Sequence, residues 1–208
     1  MIDETSIVSS MRTMIQGWGR GRIFFLTDFA CLEAPVSVRK FISEMAEEGF
    51  VARLARGIYC YPRLVDNGYT ARMALPEAEE IAYALAEKEN IRILPYGDEA
   101  AYRLGLTSMR IGNLRYRTDG SHRVINLSKG RKIYFNHTSE MKMFAYRNET
   151  MRLLATAIRD LGEEYVCTDE KTRIIRRHLR QVPEQDYMRD IVLPPAWVRE
   201  IIERIWNG

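Results

Sequence analysis

Ile7, Met11, Met14 and Ile15 recur at helical spacing within residues 6–16, and the segment gives way to Gly17-Trp18-Gly19-Arg20-Gly21. This pattern predicts a first helix followed by a tight glycine loop. Ile23-Phe24-Phe25 is a short strand-like run. Thr27 stands where it would cap a brief helix through Leu32, which Glu33-Ala34-Pro35 breaks. Ser37 is expected to cap a third helix, on which Val38, Phe41, Ile42 and Met45 fall at i, i+3, i+4 and i+7, with Gly49 closing it. The β-type runs FVARLA (50–55) and IYCYP (58–62), separated by Arg56-Gly57, predict a hairpin that Pro62 ends.

Helix, strand, helix, turn, helix and hairpin, in that order, is the order of a winged helix-turn-helix, whose third helix enters a DNA groove beside a hairpin wing. Three amphipathic helices and a hairpin also serve as a protein-interaction module, so the order alone leaves both open. Beyond it, residues 64–76 contain Asn67-Gly68, end at Pro76, and read as a linker with a short structured part. Residues 77–88 predict a helix, with Glu77, Glu79 and Glu80 in its first turn and Lys88 near its end, as the macrodipole favours. A buried strand is expected at 91–94, and a short helix at 98–104 stopped by Gly105. The runs NLRYRT (113–118) and HRVINL (122–127) flank Asp119-Gly120 and predict a hairpin, with a further strand at 132–136. Helical patterns follow at 148–161, 169–180 and 195–206. The expected organisation is therefore α+β: a winged helix-turn-helix over 1–63, a linker over 64–76, and a mixed α+β domain over 77–208 that ends in helices.

Composition changes this picture little. The chain has 208 residues, 46% of them hydrophobic, enough to bury a core, and 31 basic against 28 acidic side chains give a net charge of +3. Cys31, Cys60 and Cys167 are odd in number and widely spaced, in apolar contexts suited to core packing. They form neither a disulfide framework nor a metal pair, which points to a reducing compartment. No apolar run spans a bilayer and the N-terminus lacks the order of a signal peptide, so a cytoplasmic protein with no membrane partner is expected.

Position says more than the sum. On the third helix Arg39 and Lys40 occupy the first turn while Glu44, Glu47 and Glu48 crowd the end. The macrodipole prefers the reverse by about 0.3–1 kcal/mol per exposed charge. A recognition helix entering a groove by its N-terminal end suits this segregation, and Ser37, Arg39, Lys40 and Ser43 are its candidate contacts. An ordinary Lys40–Glu44 pair on a solvated face explains part of the same pattern. Arg53 lies on the opposite strand face from Leu54 and Arg56 sits at the hairpin turn, which gives a wing two candidate backbone contacts. Arg20 and Arg22 in the glycine loop are further candidates, although such a loop also serves as a plain connection. It is not a P-loop, because no GxxxxGK[ST] follows a strand. A second basic stripe comprises Arg110, Arg115, Arg117, Arg123, Arg131 and Lys132, with Arg103 and Lys129 nearby and Asp119 as its one acid. It fits a nucleic acid, an acidic partner or a solvated sheet face alike. Lys171, Arg173, Arg176, Arg177 and Arg180 form a shorter run on one helix.

Nothing points to catalysis. His122, His137 and His178 have no metal-ligand spacing, and no cysteine carries a nucleophile signature. Gly120-Ser121 has no Asp-x-Asp after it at a distance that would hold magnesium. No enzyme, cofactor or metal is expected.

The stretch GRIFFLTDFACLEAPVSVRKFISEMAEEGFVARLARGIYCYP resembles the N-terminal winged-helix domain of AbiE-type antitoxins of type IV toxin–antitoxin systems, with Arg56-Gly57-Ile58-Tyr59 matching the R-G-x-Y end of the wing. EAAYRLGLTS (99–108), RYRTDGSHRVI (115–125) and KIYFNH (132–137) are similar to the longer, antitoxin-related proteins of family DUF6088. The resemblance implies a repressor of its own operon that binds inverted repeats in double-stranded DNA, and an antagonist of a co-encoded, nucleotidyltransferase-like toxin. It identifies no residue for the antitoxin action. A protein-interaction module and a regulator sensing a small molecule in its α+β part are the alternatives.

Overall fold

The computed structural model describes residues 4–66, 71–109 and 112–208. The chain falls into two units, one through Glu87 together with Ile125–Arg131, the other comprising Lys88–Val124 and Lys132–Gly208. Both mix helices and strands, and the second ends in helices.

In the first unit, α1 (Glu4–Trp18) buries Ile7, Met11 and Ile15, and α2 (Pro35–Glu47) buries Val38, Phe41, Ile42 and Met45, the expected stripes. Each such side chain contributes about 1.5–3 kcal/mol when fully buried. The start of α2 differs from expectation. Pro35 occupies the first helical position behind Ala34, and Val38 N–H donates to Ala34 C=O at 2.9 Å, so Ser37 lies inside the helix instead of capping it. Proline suits that place because its ring presets the helical φ and its missing N–H would be unsatisfied there anyway. The brief helix before it is a 3-10 turn at Leu26–Leu32. Its start is held by the Asp28 carboxylate, which accepts the Phe25 N–H at 2.8 Å, the role expected of Thr27.

β1 (Ile23–Phe25), β2 (Ala52–Ala55) and β3 (Ile58–Cys60) form an antiparallel sheet in the order β1-β3-β2. Ala55 pairs with Ile58, so Arg56-Gly57 is the whole hairpin turn, and Gly57 takes φ +76°, where a Cβ would be strained. Trp18, Phe24 and Phe29 close the core beneath, with centroids 5.3–5.8 Å apart. Residues 64–76, expected as a linker, carry most of a second hairpin, β4 (Arg63–Asp66) with β5 (Ala71–Ala74). Asn67-Gly68 lies outside the described residues. α3 (Ala78–Glu89) follows.

The second unit holds α4 (Asp98–Arg103) and the strands β6 (Ile93–Pro95), β7 (Leu114–Thr118) and β9 (Lys132–His137), and β8 (Arg123–Asn126) begins in it with Arg123 and Val124; the sheet is ordered β6-β7-β9-β8. This corrects the expected 113–127 hairpin: β7 pairs antiparallel with β6 and parallel with β9, and β8 lies on the far side of β9. Asp119-Gly120 is spent on other contacts. The Asp119 carboxylate accepts both the Arg92 N–H and its Nε–H at 2.7 Å, and Gly120 N–H donates to Thr118 Oγ1 at 2.9 Å. Burial pushes the Asp119 carboxyl up, but the side-chain and backbone hydrogen bonds from Arg92, with its charge, outweigh it and hold the group below the usual carboxylate range. A depressed folded-state value stabilises the fold above the unfolded value of about 3.9 and is lost as pH falls through the folded one. Urea midpoints taken between pH 7 and pH 3 should therefore fall less steeply for Asp119→Asn than for the wild type, and equal slopes would refute the assignment.

The remaining helices are α5 (Glu149–Leu161), α6 (Glu163–Val166), α7 (Asp169–Leu179), α8 (Glu184–Asp190) and α9 (Ala196–Asn207). Met151, Leu154, Ala157 and Ile158 of α5 are fully buried against Ile175, Leu179, Ile202 and their neighbours. Tyr187 of α8 stacks on Trp206 of α9 at 4.0 Å. α8 escapes the pattern of positions because its seven residues bury only Tyr187 and Asp190. Of the cysteines only Cys60 is in a core; Cys31 and Cys167 are exposed, against expectation. Burial raises the Cys60 thiol to about 11, which leaves it inert at neutral pH. Among the described residues no helix is long and apolar enough to cross a membrane.

Candidate nucleic-acid interface

The candidate residues of the first 63 positions belong to one compact unit, on three elements: the glycine loop, α2 and the β2–β3 hairpin. Arg20, Arg22, Arg39, Lys40, Ser43, Arg53 and Arg56 are exposed and Ser37 is half-buried. They differ in what holds them. Arg20 donates from Nη1 to the Pro62 carbonyl at 3.0 Å and lies 4.5 Å over the Tyr61 ring, so it ties the loop to the sheet. The loop is tight there. Gly21 N–H donates to Tyr61 C=O at 2.6 Å, and a Cβ on Gly21 would run into the Arg63 side chain. Lys40 pairs with Glu4 of α1 at 3.3 Å, with both side chains more than half exposed, so the bridge is worth at most about 1 kcal/mol and opens readily. The Ser43 hydroxyl donates to the Arg39 carbonyl at 3.0 Å.

Arg22, Arg39, Arg53 and Arg56 make no ion pair and no side-chain hydrogen bond among the described residues. On the hairpin, exposed Arg53 alternates with Leu54, which is 2% exposed, so the pleat itself aims the guanidinium outward. At the other end of α2, Glu48 is bridged to Arg12 of α1.

One surface residue was missed. Val36, in the first turn of α2, is 79% exposed. Once the helix starts at Pro35, Val36, Lys40, Ser43 and Glu47 form the row i, i+4, i+7 and i+11 opposite the core stripe. The signal for it in the sequence is Pro35, which starts α2 as well as ending the turn before it.

The stripe of the later chain is arranged differently. Arg117 lies 3.8 Å from Asp160 and 4.6 Å over Tyr96, Arg123 pairs with Glu89 at 2.5 Å, and Arg131 pairs with Glu77 at 3.3 Å. Arg115 is exposed, with its guanidinium 5.8 Å from the Tyr134 ring centroid, and Lys132 is exposed. Arg110 lies outside the described residues. Three of the five described members are thus already neutralised by carboxylates that the local sequence places far away.

A family model, that of a family of unknown function called DUF6088, matches residues 10–187, most of the chain. The chain belongs to the DUF6088 family. No curated protein matches it. In this DUF6088 member His137 Nδ1 lies 2.8 Å from the Gly120 carbonyl and His178 Nε2 lies 2.9 Å from the Leu104 carbonyl, so both rings have structural partners. Among its described residues no group of three His, Cys, Asp or Glu is placed to hold a metal ion.

Proposed function

We propose that the first unit is a winged helix-turn-helix that binds double-stranded DNA, with α2 as the reading helix and the β2–β3 hairpin as the wing. The observation that carries this reading is the set of four exposed, unneutralised arginines, Arg22, Arg39, Arg53 and Arg56, on the elements that such a module turns toward DNA. A paired arginine must break its bridge before it can neutralise a phosphate, whereas an unpaired one releases counterions directly. Arg39 and Val36 suit base edges, guanine for the guanidinium and a thymine methyl for the valine, while Arg22, Arg53 and Arg56 suit phosphates or the minor groove.

In this reading the protein is a cytoplasmic, non-enzymatic repressor of its own operon, bound at inverted repeats, and an antitoxin against a co-encoded nucleotidyltransferase-like toxin. The antitoxin part rests on the sequence resemblance alone. Fluorescence anisotropy with the DNA upstream of the gene, across salt concentrations, tests the repressor part: a negative log–log salt slope and preference over scrambled DNA are expected. Affinity equal for both DNAs would leave a non-specific binder, and no binding would leave an interaction module. Co-expression with the neighbouring reading frame tests the antitoxin part, with rescue of growth expected.

A further inference from the structure

A cavity of about 310 Å³ opens between the Leu26–Leu32 3-10 turn and the start of α2. Packed interiors leave few voids larger than a water, and pockets that hold small ligands begin at about 300 Å³. Its walls are mainly apolar, from Leu26, Phe29, Ala34 and Val38, and two charged residues, Glu33 and Arg39, also line it. Phe29 and Val38 are 1% and 2% exposed, so the floor belongs to the rigid core. Arg39 has no ion-pair partner among the described residues.

We propose that this cavity binds a small apolar monocarboxylate, with the hydrocarbon body against Phe29, Leu26 and Val38 and the carboxylate on the Arg39 guanidinium. A planar guanidinium takes a carboxylate through two parallel hydrogen bonds, and a partly desolvated apolar wall strengthens them. Glu33 in the lining repels an anion in proportion to its charge, so a multiply charged anion such as phosphate is penalised more than a monocarboxylate, whose one charge the Arg39 guanidinium offsets. Because the ligand and DNA then compete for Arg39, the carboxylate releases DNA; this second half rests on α2 being the reading helix.

Calorimetric titration of the full chain with 2-naphthoate tests the site, with naphthalene-2-methanol as the neutral analogue. Naphthoate should bind roughly tenfold or more tightly than the alcohol. Ala30, exposed and in the cavity wall, supplies the blocking variant: Ala30→Phe should lose naphthoate binding while keeping DNA affinity. Should Ala30→Phe not fold, Arg39→Ala at an exposed helix position decides, with naphthoate affinity expected to fall roughly tenfold. Equal affinity for acid and alcohol, or naphthoate binding unchanged in the variants, overturns the site. Naphthoate bound without loss of DNA affinity overturns the competition. A protein that binds no DNA at all sinks the reading helix, and calorimetry still decides the cavity.

Discussion

Arg39→Ala weakens binding to the upstream DNA by about 1–3 kcal/mol, roughly 5- to 160-fold, and relaxes discrimination at one base pair while leaving the others unchanged. The expectation follows from its place. Arg39 is exposed on the first half of α2, has no carboxylate to return to among the described residues, and its removal leaves the buried stripe of Val38, Phe41, Ile42 and Met45 untouched. Arg56→Ala, at the hairpin turn, is expected to act differently: a smaller loss, uniform across sequences, with the salt slope reduced by about one. The contrast between the two variants separates base reading from backbone contact. Arg123→Ala in the later stripe supplies the comparison, because its guanidinium is held by Glu89 and lies 5.0 Å over the Phe135 ring. DNA affinity unchanged in both Arg39→Ala and Arg56→Ala, measured by anisotropy at one fixed salt concentration, refutes the assignment of α2 and the hairpin.

Asp190→Ala destabilises the second unit by roughly 2–4 kcal/mol, the scale of leaving buried donors unsatisfied. The Asp190 residue is 0% exposed. Its Oδ2 accepts the Arg147 N–H at 3.1 Å and the Asn148 N–H at 2.8 Å, and its Oδ1 accepts Nε–H of Arg189 at 3.1 Å. Asn148 in turn caps α5, accepting the Met151 N–H at 3.1 Å, so the carboxylate fixes the entry to the most buried helix of this unit. Asp190→Asn keeps the shape and one acceptor oxygen and should cost less than alanine. Urea unfolding followed by the fluorescence of Trp206, which stacks on Tyr187 close by in α8, reads the effect. Midpoints equal to the wild type in both variants would show that solvent replaces the carboxylate without cost.

The local placements that the sequence pattern predicts correctly and those it misses divide along one line. Arg53, Arg56 and the core stripe of α2 follow from alternation, a two-residue turn and helical spacing, all set within a few residues. The side chains of Ser37 and Thr27 favour cap positions, yet Pro35 and Asp28 hold the helix starts. The 113–127 hairpin was expected from a turn dipeptide between alternating runs. Asp119 instead answers Arg92, 27 positions earlier, and β9 inserts between β7 and β8. α8 and the cap on α5 depend on Asp190, whose acceptor contacts reach back more than forty positions.

By itself, then, the sequence determined the helices with strong apolar periodicity, the Arg56-Gly57 hairpin, the face on which Arg53 stands, and the local basic clusters hidden in a net charge of +3. Periodicity reports only which way a side chain faces its own element. The tertiary structure alone decided the strand order β6-β7-β9-β8, the cavity under Arg39, and which arginines are neutralised. Those outcomes join groups far apart in the chain, such as Arg117 with Asp160 and Arg123 with Glu89, and depend on the path of the whole backbone.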